Sequence, residues 1–416
     1  MSKVFVVDAH KRPLNPVHPG RARLLLSQGK AAVFRHYPFT ILLKEEVQKP
    51  EIKPLRLKID PGSKTTGLAF VNDATGEVVW AAELTHRGTA IKARLDARRA
   101  LRRGRRARKT RHRAARFLNR QRPAGWLPPS LESRVANVTT WVARLRRLCP
   151  IAALSMELAR FDTHLMQNPD IRGAQYQEGE LAGYEVREYL LEKWGRTCAY
   201  CGATGVPLQV EHIVPRSRGG SDRVSNLCVA CETCNQAKSN RTAAEFGHPE
   251  VQVRAKAPLK DAAAVNVTRW ALFRRLGGLG LPLETGTGGR TKFNRTQQGL
   301  PKTHWLDAAC VGASTPLPRV DASSPLLIAA RGHGRRQICR TDRYGFPVRH
   351  LSRRKSYLGL RTGDLVRARV PTGKYAGGHV GCVTIRQRPS FRLNGHDLHP
   401  RCLTRLQKAD GYVYTR

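Results

Sequence analysis

Between Lys92 and Arg122 the chain reads KARLDARRALRRGRRARKTRHRAARFLNRQR, a stretch that no hydrophobic core can take in. It contains no proline, Gly104 is its one glycine, and its arginines, alanines and leucines are good helix formers. As one continuous helix it would extend roughly 45 Å at about 1.5 Å per residue. Leu95, Ala97, Leu101, Ala107, Ala114, Phe117 and Leu118 recur at mostly three- and four-residue spacings and make only a thin apolar seam. Like charges one turn apart repel along a helix, so this one needs a polyanion on several sides. Most charge runs are disordered tails, but this one is internal and has patterned segments on both sides. Its candidate phosphate contacts are Arg98, Arg99, Arg102, Arg103, Arg105, Arg106, Arg108, Lys109, Arg111, Arg113 and Arg116. The rest of the chain shares the bias: 74 Lys+Arg against 31 Asp+Glu leave 416 residues with a net charge of +43. Nucleic acid is the partner this implies. A membrane is not expected, because no run of about 18 apolar residues exists and no secretory signal opens the chain. The ten cysteines include two CxxC pairs, which points to thiolate–metal chemistry in a reducing compartment and hence to a cytoplasmic location.

Upstream, residues 1–54 predict a small α+β module. Val4-Phe5-Val6-Val7 reads as a strand, Arg12-Pro13-Leu14-Asn15-Pro16 as a proline-punctuated turn, and Pro19 to Gln28 as a helix stopped by Gly29. Ala31 to Phe34 and Thr40 to Lys44 look like strands. From Leu55 the pattern alternates, with Leu55, Leu57 and Ile59 apolar and Arg56 and Lys58 between them, and it ends in Asp60-Pro61-Gly62. Leu68 to Val71 and Val78 to Leu84 supply two further strands. An aspartate closing a first strand ahead of a hairpin suits an RNase H-like nuclease core, though Asp is also a common turn residue. Beyond the basic run, Ser130 is placed to cap a helix beginning at Leu131, with Trp141, Leu145 and Leu148 on its apolar positions. Ile151 to Met156 then reads as a buried strand ending in Glu157, a second strand-end carboxylate to set beside Asp60.

The sharpest motif lies in residues 191–248. Cys198/Cys201 and Cys231/Cys234 are two CxxC knuckles whose four thiolates can hold one zinc tetrahedrally and close a domain with little core. Cys228 stands at the same spacing, so Cys228/Cys231 is an alternative pairing; Cys231/Cys234 is preferred because Asn235 then follows the second knuckle. Between the knuckles lie Glu211-His212-Ile213-Val214-Pro215, Gly219-Gly220-Ser221-Asp222 and Ser225-Asn226-Leu227, which a zinc ribbon alone would not need. The combination resembles the HNH endonuclease motif, a ββα-metal fold. Further on, Ala262 to Leu276 is helical in pattern, and His304 and Asp307 share one face of a short helix. In the last hundred residues, Asp364 to Val370 alternates and turns through Gly373 to Gly378 into His379 to Ile385, which predicts a strongly basic β-domain that could close as a barrel.

Together these pieces resemble the IscB family of transposon-encoded RNA-guided nucleases, relatives of the CRISPR effectors that carry RuvC and HNH domains. The resemblance covers essentially the whole chain. Pro13-Leu14-Asn15-Pro16 corresponds to the family's PLMP element, with Asn15 where methionine is typical. Asp60, Glu157 and His304/Asp307 match the three split RuvC motifs, and the arginine-rich run falls where the family places its bridge helix. The implied fold class is multidomain α/β, a split RNase H-like (RuvC) core with an inserted bridge helix and an HNH domain. The boundaries that follow are an N-terminal PLMP-like module at 1–54, RuvC-I at 55–88, the bridge helix at 89–122, RuvC-II at 123–190, HNH at 191–248, RuvC-III at 249–320 and a C-terminal basic β-domain at 321–416.

The chemistry implied is metal-dependent cutting of double-stranded DNA. Asp60, Glu157 and Asp307 would hold two Mg²⁺ ions roughly 4 Å apart, with His304 a candidate general base. In the HNH module His212 would deprotonate the water and Glu211 and Asn235 would ligate one Mg²⁺, while Asn226 would orient His212 through a hydrogen bond. Zinc would be structural. The resemblance further implies a noncoding guide RNA (omega RNA), a target duplex with a short flanking motif, and a monomeric ribonucleoprotein in which HNH cuts the guide-paired strand and RuvC the displaced one. The competing reading is a guide-independent endonuclease or junction resolvase using the same residues.

Overall fold

The apolar positions of Leu55–Ile59 form the centre of a seven-stranded mixed sheet. The computed structural model describes residues 2–108, 123, 125–158, 182–256, 262–320, 324–332, 338–344, 346–351, 354–386 and 390–415. Strands β5 (Leu55–Asp60), β6 (Thr65–Asn72) and β7 (Val78–Thr85) make an antiparallel meander. On one side β5 pairs in parallel with β8 (Ala153–Glu157), which pairs in parallel with β11 (Leu283–Gly286). On the other, β7 pairs in parallel with β12 (Leu326–Ala330), and the strand Tyr412–Thr415 closes that edge. Thus β12 and Tyr412–Thr415, both on the C-terminal side of residue 321, complete the central sheet.

Both faces of this sheet are covered. Leu57, Ile59, Leu68 and Phe70 pack against Val138, Trp141, Val142 and Leu145 of the helix Pro129–Arg146 and Leu272 of the helix Ala262–Gly277. Each such side chain, fully buried, contributes about 1.5–3 kcal/mol. On the opposite face Ala69, Val71 and Ala81 meet Trp305, Leu306, Ala308 and Ala309 of the helix His304–Ala309. The alternation in β5 therefore does not separate core from solvent: Lys58 is wholly buried, and its ammonium donates to the carbonyls of Val311, Ser314 and Thr315 at 2.6–2.9 Å.

Two local expectations fail for simple backbone reasons. Residues Pro13–Val17 are a strand, β2, rather than a turn; β2 lies at the edge of the N-terminal four-stranded sheet, where a residue without an N–H is tolerated. That sheet is built with β1 (Val4–Val7), β3 (Ala31–Arg35) and β4 (Thr40–Leu43) beside the helix α1 (Pro19–Ser27). Ser130 does not cap its helix, which starts two residues before Leu131, at Pro129, a position suited to a residue with fixed φ and no N–H.

The basic run forms the helix α2, Gly88–Ala107. From Thr89 onward its described side chains are exposed or half-buried, and Leu101 is 62% exposed. The backbone of Arg105 is described but its side chain is not, and Lys109, Arg111, Arg113 and Arg116 lie outside the described residues. Toward the C-terminus, the expected strands appear as Leu365–Val370 and Gly377–Cys382, joined by Leu403–Gln407 in an open three-stranded sheet; no closed barrel is formed among the described residues.

Candidate active sites

The first site sits where the central strands end. Ile59 is in register with Met156, so Asp60 and Glu157 terminate neighbouring parallel strands at the same level. The helix His304–Ala309 brings the third element over β6, and its approach depends on Gly67, where a Cβ would lie 1.8 Å from the His304 carbonyl oxygen. His304 Nδ1 stands 3.9 Å from Asp60 Oδ2, beyond a hydrogen bond but within ion-pair range. The Asp60 carboxylate raises the His304 pKa. Burial, then the charges of Asp60 and Asp307, push Glu157 up to about 8. Burial and Asp60 likewise raise Asp307. Two buried carboxylates held up beside the charge of a third mark a site short of positive charge.

Two arginines that the sequence did not single out supply part of that charge. Arg269, from the helix Ala262–Gly277, reaches Glu157 Oε1 at 3.0 Å and donates to the Pro61 carbonyl at 3.3 Å. Arg295 lies 2.7 Å from Asp307 Oδ1 and donates to the Leu300 carbonyl. Among the described residues the acids do not form a tight cage of ligand atoms like that of the cysteines below. Their convergence and mutual repulsion nonetheless fit a divalent cation, which prefers few carboxylates plus water and phosphate oxygens.

The second site is a ββα unit. β9 (Leu208–His212) pairs antiparallel with β10 (Leu227–Cys231), and the helix Glu232–Lys238 follows directly. The Sγ atoms of Cys198, Cys201, Cys231 and Cys234 all lie within 4.8 Å of one another. Cys201 and Cys231 are 3.8 Å apart, matching the edge of about 3.8 Å that a tetrahedron of 2.3 Å Zn–S bonds requires. Burial opposes the Cys198 thiolate, but N–H groups of Cys201, Cys231 and Tyr200 outweigh it and lower its pKa to about 6, which suits a metal ligand. Cys228 is not in this group; it is buried beside Tyr200 and Glu211.

Three assignments in this module meet different surroundings from those expected. Glu211 is 6% exposed and both its oxygens are engaged: Lys238 Nζ reaches Oε1 at 2.6 Å, and the Tyr200 hydroxyl donates to Oε2 at 2.6 Å. It faces a buried ammonium, an arrangement that does not fit a Mg²⁺ ligand. Asn226 does not touch His212; it clamps the intervening loop, accepting from Val214 N and donating to the carbonyls of Val214 and Ser221. Gly220 makes that loop closure possible, since a Cβ there would lie 1.7 Å from the Val214 carbonyl oxygen. The partner of His212 is Asp222, with Nε2 and Oδ1 2.7 Å apart, and Asp222 in turn pairs with Arg216. Asn235 is on the exposed side of its helix and donates to Gln209. Asp222 and Lys238 were visible in the sequence only as a loop aspartate and a helix lysine; nothing in their spacing pairs them with His212 and Glu211.

Two parts of the chain match known protein families. Residues 4–179 match the family described as RRXRR protein, and residues 198–241 match the HNH endonuclease family. The spelling R-R-x-R-R occurs in this chain at Arg102-Arg103-Gly104-Arg105-Arg106. The chain thus carries an HNH endonuclease domain. A CRISPR-associated endonuclease Cas9 from Actinomyces naeslundii is 42% identical over 86 residues, 19% of this chain and 8% of that protein. Among solved structures, Streptococcus thermophilus Cas9 in complex with the GGAA PAM covers 62% of this chain and 32% of its own, at 14% identity and a TM-score of 0.24. The Type II-C Cas9 enzyme from Actinomyces naeslundii covers 42% and 24%, at 21% identity and a TM-score of 0.17. Overlaps at these scores carry no argument about fold. The chain spans under a tenth of the length of the curated Cas9 and about a third or less of the solved ones.

Proposed function

We propose that the chain is an RNA-guided double-stranded DNA endonuclease with two separate metal-dependent centres. In this reading the HNH module cuts the guide-paired strand and the sheet-edge acids cut the displaced strand. The observation that carries it is the presence, in one chain, of an HNH endonuclease domain and a second convergent acidic site at the ends of β5 and β8. The sheet order, β7-β6-β5-β8-β11, supports reading the second site as a split RuvC-type core. The exposed, arginine-covered α2 and the 42% identity to a CRISPR-associated endonuclease support the guide RNA.

At the sheet edge Asp60, Glu157 and Asp307 would hold Mg²⁺, which when bound supplies charge neutralisation at the attacking and leaving oxygens. His304 keeps its proton to higher pH beside Asp60, so it takes a proton from water only when the Asp60 charge is neutralised elsewhere. In the HNH module His212 accepts the proton of the attacking water while Asp222 holds its imidazole in place. Buried Lys238 and Glu211 brace the β9 end that carries His212, because Lys238 Nζ also donates to the His212 carbonyl at 2.9 Å. Asn235 remains the candidate Mg²⁺ ligand there, without Glu211.

The test is strand-resolved cleavage of a duplex by the protein purified with its neighbouring noncoding transcript. Asp60→Ala and His212→Ala should each lose one strand's cut, and opposite strands, by about 10²–10⁴-fold. A single change that removes both cuts from a folded protein overturns the two-site assignment. Cleavage that ignores a swapped guide leaves the guide-independent endonuclease in its place.

A further inference from the structure

Arg269 and Arg295, which close on the sheet-edge acids, have carboxylate partners, whereas a neighbouring arginine has none among the described residues. Arg134, on the helix Pro129–Arg146, is 8% exposed, and its Nε and Nη1 are buried with no hydrogen-bond partner. Nor does it make an ion pair among the described residues. His86 Nδ1 is buried and equally unpartnered, although its Nε2 meets the Thr66 hydroxyl at 2.7 Å. Both side chains line a narrow, open-mouthed cleft shared with Pro61, Gly62, Thr66 and Thr268. Pro61 and Gly62 directly follow Asp60, so the cleft adjoins the strand-end acids.

We propose that Arg134 and His86 form a phosphate subsite beside the Asp60 loop, taking a non-bridging oxygen of a nucleic-acid backbone. A guanidinium is always charged and presents a planar fork of donors, so burying it without an anion leaves it desolvated and uncompensated. The cleft has room for about one oxygen-sized group, which suits an oxygen of a phosphodiester passing its mouth rather than a whole small molecule. His86 is held neutral by burial and by Arg134, so it can offer Nδ1 without adding charge. The start of α2 points the same way. A Cβ at Gly88 would lie 2.9 Å from Arg134 Nε, and the helix has no side-chain cap, so its first N–H groups and the guanidinium share one electropositive corner. A phosphate there would fix the backbone of either the guide or the cut strand between α2 and the catalytic edge.

The subsite rests on the chain being a nucleic-acid enzyme, and the test separates the two claims. Full-length protein, wild type and Arg134→Met, is titrated by fluorescence anisotropy against labelled single-stranded RNA and, separately, single-stranded DNA over a range of salt. Losing one phosphate contact should lower the slope of log affinity against log salt by about 0.7 in the arm that supplies the phosphate. Arg134→Lys should restore the slope but not the full affinity, because it keeps the charge and loses the fork. Thermal unfolding of the same variants guards against misfolding: the gap between wild type and Arg134→Met should widen when the nucleic acid is added. An unchanged slope in both arms, or a gap that added RNA and DNA leave constant, overturns the subsite and marks Arg134 as a packed structural cation. Wild-type protein that binds neither strand refutes the proposed function, and the subsite falls with it.

Discussion

The two candidate sites are built in opposite ways. The sheet-edge site gathers Asp60, Glu157, His304 and Asp307 from positions up to 247 residues apart in the chain, and holds them with a seven-stranded sheet packed on both faces. The HNH site uses a segment of 44 residues, 198–241, with only two short strands and a seven-residue helix at its centre. The first therefore depends on the global fold, and its acids can be buried deeply enough to repel one another. The second depends on local closure by four cysteines, with its histidine left near the surface beside Asp222. The physical cost of placing charge falls on different parts: on carboxylate pKa values in one, on thiolate coordination in the other.

The largest expected effect follows from that contrast. Stripping zinc with a strong chelator, or replacing Cys201 with serine, should abolish the HNH cut entirely while the sheet-edge cut persists once Mg²⁺ is restored. Loss of both would mean that the two sites do not fold separately. Next, Gly67→Val inserts a side chain where even a Cβ lies 1.8 Å from the His304 carbonyl oxygen. It should cost about 1–3 kcal/mol in thermal unfolding and remove only the sheet-edge cut. A variant that cuts both strands normally would show that the helix His304–Ala309 need not rest on β6.

A smaller, pH-dependent effect belongs to Glu157. Its folded pKa is raised above the ordinary glutamate value to about 8. The folded state thus holds this proton more tightly than the unfolded state does. In metal-free protein its contribution is most favourable below the unfolded pKa, and stability falls as pH rises toward 8. Glu157→Gln should therefore raise the melting temperature in EDTA, and by more at pH 8 than at pH 5; an equal shift at both pH values would remove burial and repulsion as the cause. The smallest effect on stability is expected on α2. Neutralising Arg102, Arg103 and Arg106 should change stability by no more than about 0.5 kcal/mol, yet lower RNA affinity and its salt dependence together. Unchanged RNA binding across salt concentrations would detach α2 from the guide.

Much of this was legible before any coordinates. The strands around Asp60 and Glu157 announced themselves by apolar runs, and the four clustered cysteines by spacing. The helix α2 did so by composition. Partners were harder to read. Glu211 precedes His212 and looked like a second ligand, but alternation along β9 turns neighbouring side chains to opposite faces, and Glu211 ends against Lys238 in the interior. Asn226 looked like a support for His212 and instead ties the loop 214–221, because its short amide is saturated by nearby backbone groups. Asp222 took the role near His212 through a glycine-closed loop whose shape no local pattern specifies.

By itself, then, the sequence determined which chemistries this chain can hold: carboxylates at strand ends, thiolates in knuckles, and a helix too charged to bury. Those follow from residue type and short-range spacing, which act within a few turns of the chain. Only the tertiary structure decided which charges meet. Arg269 reaches Glu157 across 112 residues and Lys58 reaches Val311 across 253, while Arg134 is left buried with no counter-ion among the described residues. Side-chain reach is a few ångströms and carries no memory of sequence distance, so these pairings exist only once the sheet has brought its strand ends and helices together.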